Sequence, residues 1–317
     1  MPTQDDAALD QATALLRQGE LVVLPTETVY GLGADAENPS AVAKIFALKG
    51  RPSSRPLIVH IHAADQLDRW AIDIPGYARA LAEAFWPGPL SLVLKRDPRV
   101  PDAVTGGQDT VALRVPAHPL TRALLARFGG GIAAPSANRY GHISPTTPDH
   151  VREEFGSDTP FLLDGGPATG GIESTIVGCL EAMPRILRPG LVSAAAIAKA
   201  TGLPVLEAPG KQPPPRTAGQ DISHYAPRTR ALLVGRADRP DLPARVGYLG
   251  FDAPAMPVAR DVRLPSEPAA AARELYAALR ELDAAGLDLI LIQRPPSGPE
   301  WAGVRDRLER ATARYTA

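Results

Sequence analysis

Between residues 6 and 135 the chain repeatedly switches its hydrophobic period, and no other feature limits its possible folds so strongly. Residues 6–18 place Leu9, Ala12, Leu15 and Leu16 at helical spacing, Gly19 supplies a stop, and LVVLP (21–25) follows as a short apolar run. Asn38 and Pro39 read as N-cap and N1 of a helix carrying Val42, Ile45 and Phe46 on one face, and LIVHI (57–61) follows as a strand. A helix with Tyr77, Leu81 and Phe85 stops at WPGP and gives way to SLVLK (91–95). VALRV (111–115), the helix PLTRALLARF and GIAAP (131–135) continue the alternation, and Thr147-Pro148 opens another helix. Such a pattern predicts an α/β layer around one sheet.

From 204 to 227 the text changes to PVLEAPGKQPPPRTAGQDISHYAP, dense in proline and without apolar periodicity, which reads as an extended linker. Beyond it lie strands RALLVG and RVGYLGF, an Ala-rich helix over about 267–285, the strand LDLILIQ, and a last helix expected to start at the capping box Ser297-x-x-Glu300. The expected organisation is a first domain over 1–203, a linker over 204–229 and a small α/β domain over 230–317.

The charge balance restricts the function. With 34 Lys+Arg against 35 Asp+Glu, the chain lacks the broad positive field of a nucleic-acid or membrane-surface binder, so any basic site is local. One cysteine, Cys179, permits no internal disulfide, no apolar run is long enough to span a bilayer, and no signal-like start is present; a cytoplasmic location is the expectation.

Several familiar chemistries are missing. GLGADA (31–36) fits a loose dinucleotide fingerprint, but TETVY separates it from the preceding strand, and the region about 20 residues on is basic rather than acidic. No phosphate-binding P-loop motif occurs. His60 and His62 would share a strand face, yet no other residue at ligand spacing completes a metal site, and Ser136 in APSAN lacks the nucleophile-elbow glycines.

Cations at strand ends remain. ALKGRPSSRPLIVHI (47–61) sets Lys49, Arg51 and Arg55 within seven residues between a helix end and a buried strand, with Pro52 and Pro56 restricting the loop. Held in this way, arginines suit phosphate oxygens. Arg114 sits inside an apolar strand and needs an anionic partner, either a core carboxylate or a ligand. DGGPATGGIESTIVG (164–178) brackets a turn with glycine pairs, so its backbone is expected either to approach a ligand closely or to form a plain hairpin, and RILRPG adds Arg188. This inventory fits a site for phosphate plus a small carboxylate, in a reaction driven by positioning and charge neutralisation.

LPTETVYGLGADA, KGRPSSRPLIVHI, FWPGPLSLVL, VALRVP, IAAPSANRYGHISPTT, DGGPATGGIESTIV and ILRPG, in this order, resemble the YrdC/Sua5 family, the threonylcarbamoyl-AMP synthases. The likeness is dense over residues 8–200, and GQDISHYAP with the α/β tail resembles the longer Sua5 form. The resemblance implies a twisted mixed sheet with helices, joined by its Pro-rich linker to a smaller Rossmann-like domain. It also implies conversion of L-threonine, bicarbonate or CO2 and ATP to L-threonylcarbamoyladenylate and pyrophosphate, for t6A modification of tRNA by downstream threonylcarbamoyltransferase proteins. Neither stable nucleic-acid binding nor membrane attachment is implied.

Carried onto this sequence, the threonine positions are Thr28, His60, Arg114, Ala134 and Ser174. The ATP positions are Arg51, Arg55, Thr110, Ser136, Ser144, Arg188 and Tyr225, with Lys49 joining Arg51 and Arg55 against the phosphates and Mg2+ accompanying the nucleotide. Where the family linker reads Ser-Pro-Gly or Ala-Pro-Gly, this chain has Thr217-Ala218-Gly219, a looser turn preceded by the stiff run Pro213-Pro214-Pro215. Two rival readings are a carbamoyltransferase of the hydrogenase-maturation type, which would bring paired CxxC motifs absent from this sequence, and an RNA-binding module without turnover.

Overall fold

A computed structural model describes residues 4–206, 215–219, 224–235 and 243–315. The strands are β1 (Val22–Leu24), β2 (Gly31–Asp35), β3 (Ile58–His60), β4 (Leu90–Lys95), β5 (Thr110–Arg114), β6 (Ile132–Ala133), β7 (Phe161–Leu162), β8 (Thr175–Gly178), β9 (Arg185–Arg188), β10 (Ala231–Val234), β11 (Val246–Gly250), β12 (Arg260–Arg263) and β13 (Leu289–Gln293). The first nine form one mixed sheet in the order β7-β1-β2-β6-β3-β5-β4-β8-β9, and the last four a parallel sheet in the order β10-β13-β11-β12.

Side-chain alternation along these strands decides where a site can lie. Val23, Val59, Leu92, Leu113, Ala133 and Val177 enter the main core, under the helices Pro39–Lys49, Gly76–Phe85 and Ala194–Thr201. On the opposite face, Val22, Leu24, Ile132 and Ala134 pack under the helices Gln4–Arg17 and Pro119–Phe128. Those helices stop short of the far half of the sheet. There, Ile58, Val93 and Ile176 form a small cluster with Ala112, Leu187 and Ala218, a residue of the linker. One half of one sheet face is therefore roofed by linker rather than by helix, and His60 and Arg114 stand on it.

A bulge in the β8–β9 pair between Ile176 and Val177 changes the parity of β9. Leu187 packs with the roofed cluster and the next residue, Arg188, bonds Ser174 on the same side.

The second sheet lays one face on the helices Pro268–Ala284 and Ala302–Thr312, and their core also includes Val29, Ile143 and Ile172 from the first unit. The two units thus share apolar packing. Local sequence signals hold at several ends: Asn38 Oδ1 accepts from the amides of Ser40 and Ala41, Thr147 Oγ1 accepts from that of His150, and Gly19 has φ +74°.

Two expectations change, the capping box and the hairpin alternative, while the reading against a dinucleotide-binding turn at GLGADA is kept. Ser297 and Glu300 form no capping box, because Pro299–Trp301 make a 3-10 turn and the helix proper starts at Ala302. GLGAD is strand β2, paired with β1 and β6, so no phosphate-binding turn precedes a helix there. The segment after Asp164 is no hairpin, since β8 pairs parallel with β4. Of Pro213-Pro214-Pro215, only Pro215 belongs to the described residues, so the expected stiffening lies outside them.

Candidate active site

His60 and Arg114 are register partners on β3 and β5, which places their side chains together on the roofed face. The Arg114 guanidinium donates through Nε to the Gly88 carbonyl at 3.1 Å, through Nη1 to Thr28 Oγ1 at 2.9 Å and through Nη2 to Glu27 Oε1 at 2.6 Å. Guanidinium carries five N–H groups, so two remain for a further acceptor. Burial opposes the charge of Glu27, but Arg114 and the Ala117 amide outweigh it and hold the carboxyl below its ordinary range. Burial, reinforced by Arg114, pushes His60 down to about 3, so its ring is neutral near pH 7. Thr28 owes its placement to a tight turn in which Thr26 Oγ1 accepts from the amides of Thr28 and Val29.

Around the same cavity, which measures about 50 Å³, stand Thr28, Arg51, His60, Arg114, Ala134, Ser136, Ser174, Arg188 and Tyr225. Nine of the residues expected from the sequence therefore meet in one place. Arg51 reaches it from the loop after the Pro39–Lys49 helix, its Nη2 donating to the Pro56 carbonyl and its guanidinium 5.7 Å from the Tyr140 ring centroid. Arg188 comes from β9 and donates through Nη2 to both the carbonyl and the hydroxyl of Ser174. Burial pushes its pKa down, which marks the cost of a guanidinium held away from water.

The other four lie around this group. Thr110 lines a smaller neighbouring cavity with Arg216, Thr217 and Ala218 of the linker. Ser144 is one step behind, donating to Glu173 Oε1 at 2.5 Å. Lys49 is buried with its ammonium on the carbonyls of Ser136 and Asn138, so it shapes the Ser136 loop from behind, and burial drives its pKa well down. Arg55 is half-buried and does not line the cavity.

The linker forms the roof. Gly219 takes φ +76° and Tyr225 φ +60°, and a Cβ on Gly219 would lie 2.1 Å from Tyr225 Oη, so this turn needs glycine. His224 Nδ1, Tyr225 Oη and His60 Nδ1 are buried without a hydrogen-bond partner among the described residues, and all three residues line the cavity. Buried polar atoms are rarely left unsatisfied, so their convergence marks a place for a polar ligand.

Sequence reasoning missed Glu27, His224 and the use of Glu173. Glu27 was visible in Thr26-Glu27-Thr28, but nothing local linked it to an arginine 87 residues away. Gly170 and Gly171 serve packing: a Cβ on Gly171 would strike the Arg273 backbone at 2.3 Å, and one on Gly170 the Leu191 side chain and Glu27 carbonyl. Close approach occurs as expected, but to the chain itself.

A family model described as telomere recombination, covering the Sua5, YciO and YrdC proteins, matches residues 14–190, and one described as the threonylcarbamoyl-AMP synthase C-terminal domain matches 192–313. The threonylcarbamoyl-AMP synthase of Pyrococcus abyssi is 39% identical over 95% of this chain and 93% of its own length. That of Bacillus subtilis is 39% identical over 97% and 93%. The crystal structure of P. abyssi Sua5 complexed with L-threonine superposes with a TM-score of 0.87 at 35% identity, covering 98% of this chain and 96% of that one. With both units matched from end to end, the chain belongs to the Sua5/YrdC family of threonylcarbamoyl-AMP synthases, in its two-unit Sua5 form.

Proposed function

We propose that this chain condenses L-threonine, bicarbonate or CO2, and ATP to L-threonylcarbamoyladenylate with release of pyrophosphate. The observation that carries this reading is the convergence of Arg51, Arg114 and Arg188, from three separate segments, on one cavity together with a neutral histidine and small hydroxyl side chains. Threonine's amine and CO2 give an N-carboxylate. One of its oxygens attacks the α-phosphorus of ATP, the bond to the β-phosphate oxygen breaks, and pyrophosphate leaves with the electron pair.

Both reacting groups are anionic, so cations must offset their repulsion, and each well-placed donor is worth about a hundredfold or more in rate. In this assignment the two remaining N–H groups of Arg114 take the threonine carboxylate, with Thr28, His60, Ala134 and Ser174 around the amino acid. Arg51, Arg55, Thr110, Ser136, Ser144, Arg188 and Tyr225 belong to ATP, with Lys49 holding the Ser136 loop at the phosphates. Mg2+ would arrive as part of the MgATP substrate and supply further charge neutralisation at the phosphates. Ala218, Gly219, His224 and Tyr225 of the linker line the cavity, so in this reading the linker moves aside for the nucleotide and then closes to keep water from the acyl-adenylate. The product is consumed by tRNA threonylcarbamoyltransferase proteins. No helix among the described residues is long and apolar enough to cross a membrane, which is compatible with a cytoplasmic site of action.

Pyrophosphate release from ATP by the purified protein tests this reading, with serine as control amino acid. Release should require both threonine and bicarbonate. Tight, salt-sensitive tRNA binding without turnover would instead favour an RNA-binding module.

A further inference from the structure

Arg307 lies on the Ala302–Thr312 helix of the second unit and has no exposed surface, yet its bonds run mostly into the first unit. Nε donates to Glu173 Oε2 at 2.7 Å, Nη2 to the Glu173 carbonyl at 3.2 Å, and Nη1 to the Pro189 carbonyl at 2.9 Å as well as to the adjacent Asp306. The guanidinium also lies 5.2 Å from the ring centroid of Tyr225. Apart from Asp306, each contact is on the cavity or one residue from it: Glu173 and Tyr225 line it, and Pro189 follows Arg188.

Glu173 is the shared node. Its Oε1 accepts from Ser144, and its Oε2 accepts from both Arg307 and Tyr276 of the second unit. Gly171 permits the approach, since any Cβ there would meet the backbone of the Pro268–Ala284 helix. A buried ion pair is weak grounds for stability alone, because an apolar pair of similar volume often does as well. An apolar pair could not tie two carbonyls, a carboxylate and an aromatic face at fixed angles, as the planar guanidinium fork does.

The geometry points to Arg307 as a positioning residue, through which the second unit sets the Glu173–Ser174 turn, the Arg188–Pro189 turn and Tyr225 in register for the reaction. Its kinetic arm rests on the functional reading above, and its structural arm does not.

The test compares Arg307→Met with Leu308→Ala, a neighbour fully buried in the same core whose apolar side chain makes no hydrogen bond to these groups. In Arg307→Met, kcat/KM for ATP should fall about a hundredfold at a temperature where the protein remains folded, the scale of a small misplacement of reacting groups. Hydrogen exchange should accelerate about tenfold or more at 172–176 and 224–227 and stay unchanged at 91–95. Arg307→Lys, which keeps the charge without the fork, should recover part of the loss. If Arg307→Met does not fold, Arg307→Met with Glu173→Gln removes the stranded carboxylate and carries the same expectations. Turnover within about threefold of wild type, or the same loss and exchange pattern in Leu308→Ala, overturns the inference. If wild-type protein releases no pyrophosphate with threonine and bicarbonate, the functional reading fails, and the exchange arm alone decides: unchanged exchange at 172–176 overturns the positioning role, and its selective increase supports it.

Discussion

Arg188 Nη1 donates to the carbonyl of Ala218 at 2.9 Å, so a cation on the cavity wall also fastens the linker above it. Gln108 adds a second fastening, exchanging bonds with the backbone of Arg216 at 2.8 and 3.1 Å. In the proposed reading ATP displaces the linker, and opening the Ala218 bond would free a guanidinium N–H for a phosphate oxygen. Lid movement and phosphate binding then draw on one donor. In that reading the Ala218 carbonyl competes with ATP for this donor.

This competition gives Gly219 a sharp requirement. Gly219→Ala would combine a left-handed backbone with a methyl 2.1 Å from Tyr225 Oη. Stability should drop by about 1–3 kcal/mol, because the methyl meets Tyr225 of the second core, and kcat/KM for ATP should fall at least about tenfold. Urea unfolding and pyrophosphate release, measured side by side, check both parts.

Arg114 and Glu27 should behave asymmetrically. Arg114→Ala strands a carboxylate that is nearly buried, so it should cost about 3–5 kcal/mol in urea unfolding and abolish threonine binding measured by calorimetry. Glu27→Gln leaves an acceptor for the same guanidinium and should cost less than half as much. Equal destabilisation by the two would show that the pair is not what holds this wall.

The cations of this site were legible as charges placed at strand ends, whereas Thr28, His60, Ala134, Ser136, Ser174 and Tyr225 were assigned through the family resemblance. Arg114 could be marked as needing an anion, but the sequence left a core carboxylate and a ligand as alternatives. The structure supplies Glu27 and still leaves the residue on the cavity, so the choice was not exclusive. What stayed hidden depends on distant pairing or register. The β9 bulge turns Arg188 inward through a shift in pairing with β8, and Arg307 meets Glu173 across 134 residues. The failed capping box has a local cause, since Pro299 and Glu300 are taken up in a 3-10 turn.

Acid should weaken the fold in two stages. His60 and His224 are both pushed down by burial to about 3, so the unfolded chain binds their protons first as pH falls below about 6.5. Their stability contribution is full above that pH and is lost progressively towards pH 3, at up to about 1.4 kcal/mol per pH unit for each ring. Glu173, held at about 2 chiefly by Arg307 against the effect of burial, adds a further loss below about pH 4.5. Urea midpoints measured from pH 7 to 4.5 should decline, and His224→Gln should flatten that decline. A profile unaffected by His224→Gln would contradict the assignment.

Arg55 does not line the cavity, and the proposed reading gives it a contact to the nucleotide rather than to threonine. Arg55→Ala should raise KM for ATP about tenfold while threonine affinity changes less than about twofold, as expected for one charge-assisted phosphate contact. Parallel loss of both affinities would mean that the loop supports the whole cavity rather than the triphosphate.

The central claim is that the adenylate joins threonine to AMP through a carbon taken from bicarbonate. Incubating the protein with MgATP, L-threonine and 13C-bicarbonate, then weighing the adenylate by mass spectrometry, tests it directly. The account predicts threonylcarbamoyl-AMP carrying one labelled carbon, formed in step with pyrophosphate and absent when serine replaces threonine. Threonyl-AMP without the extra carbon, or pyrophosphate released with no labelled adenylate, would contradict it.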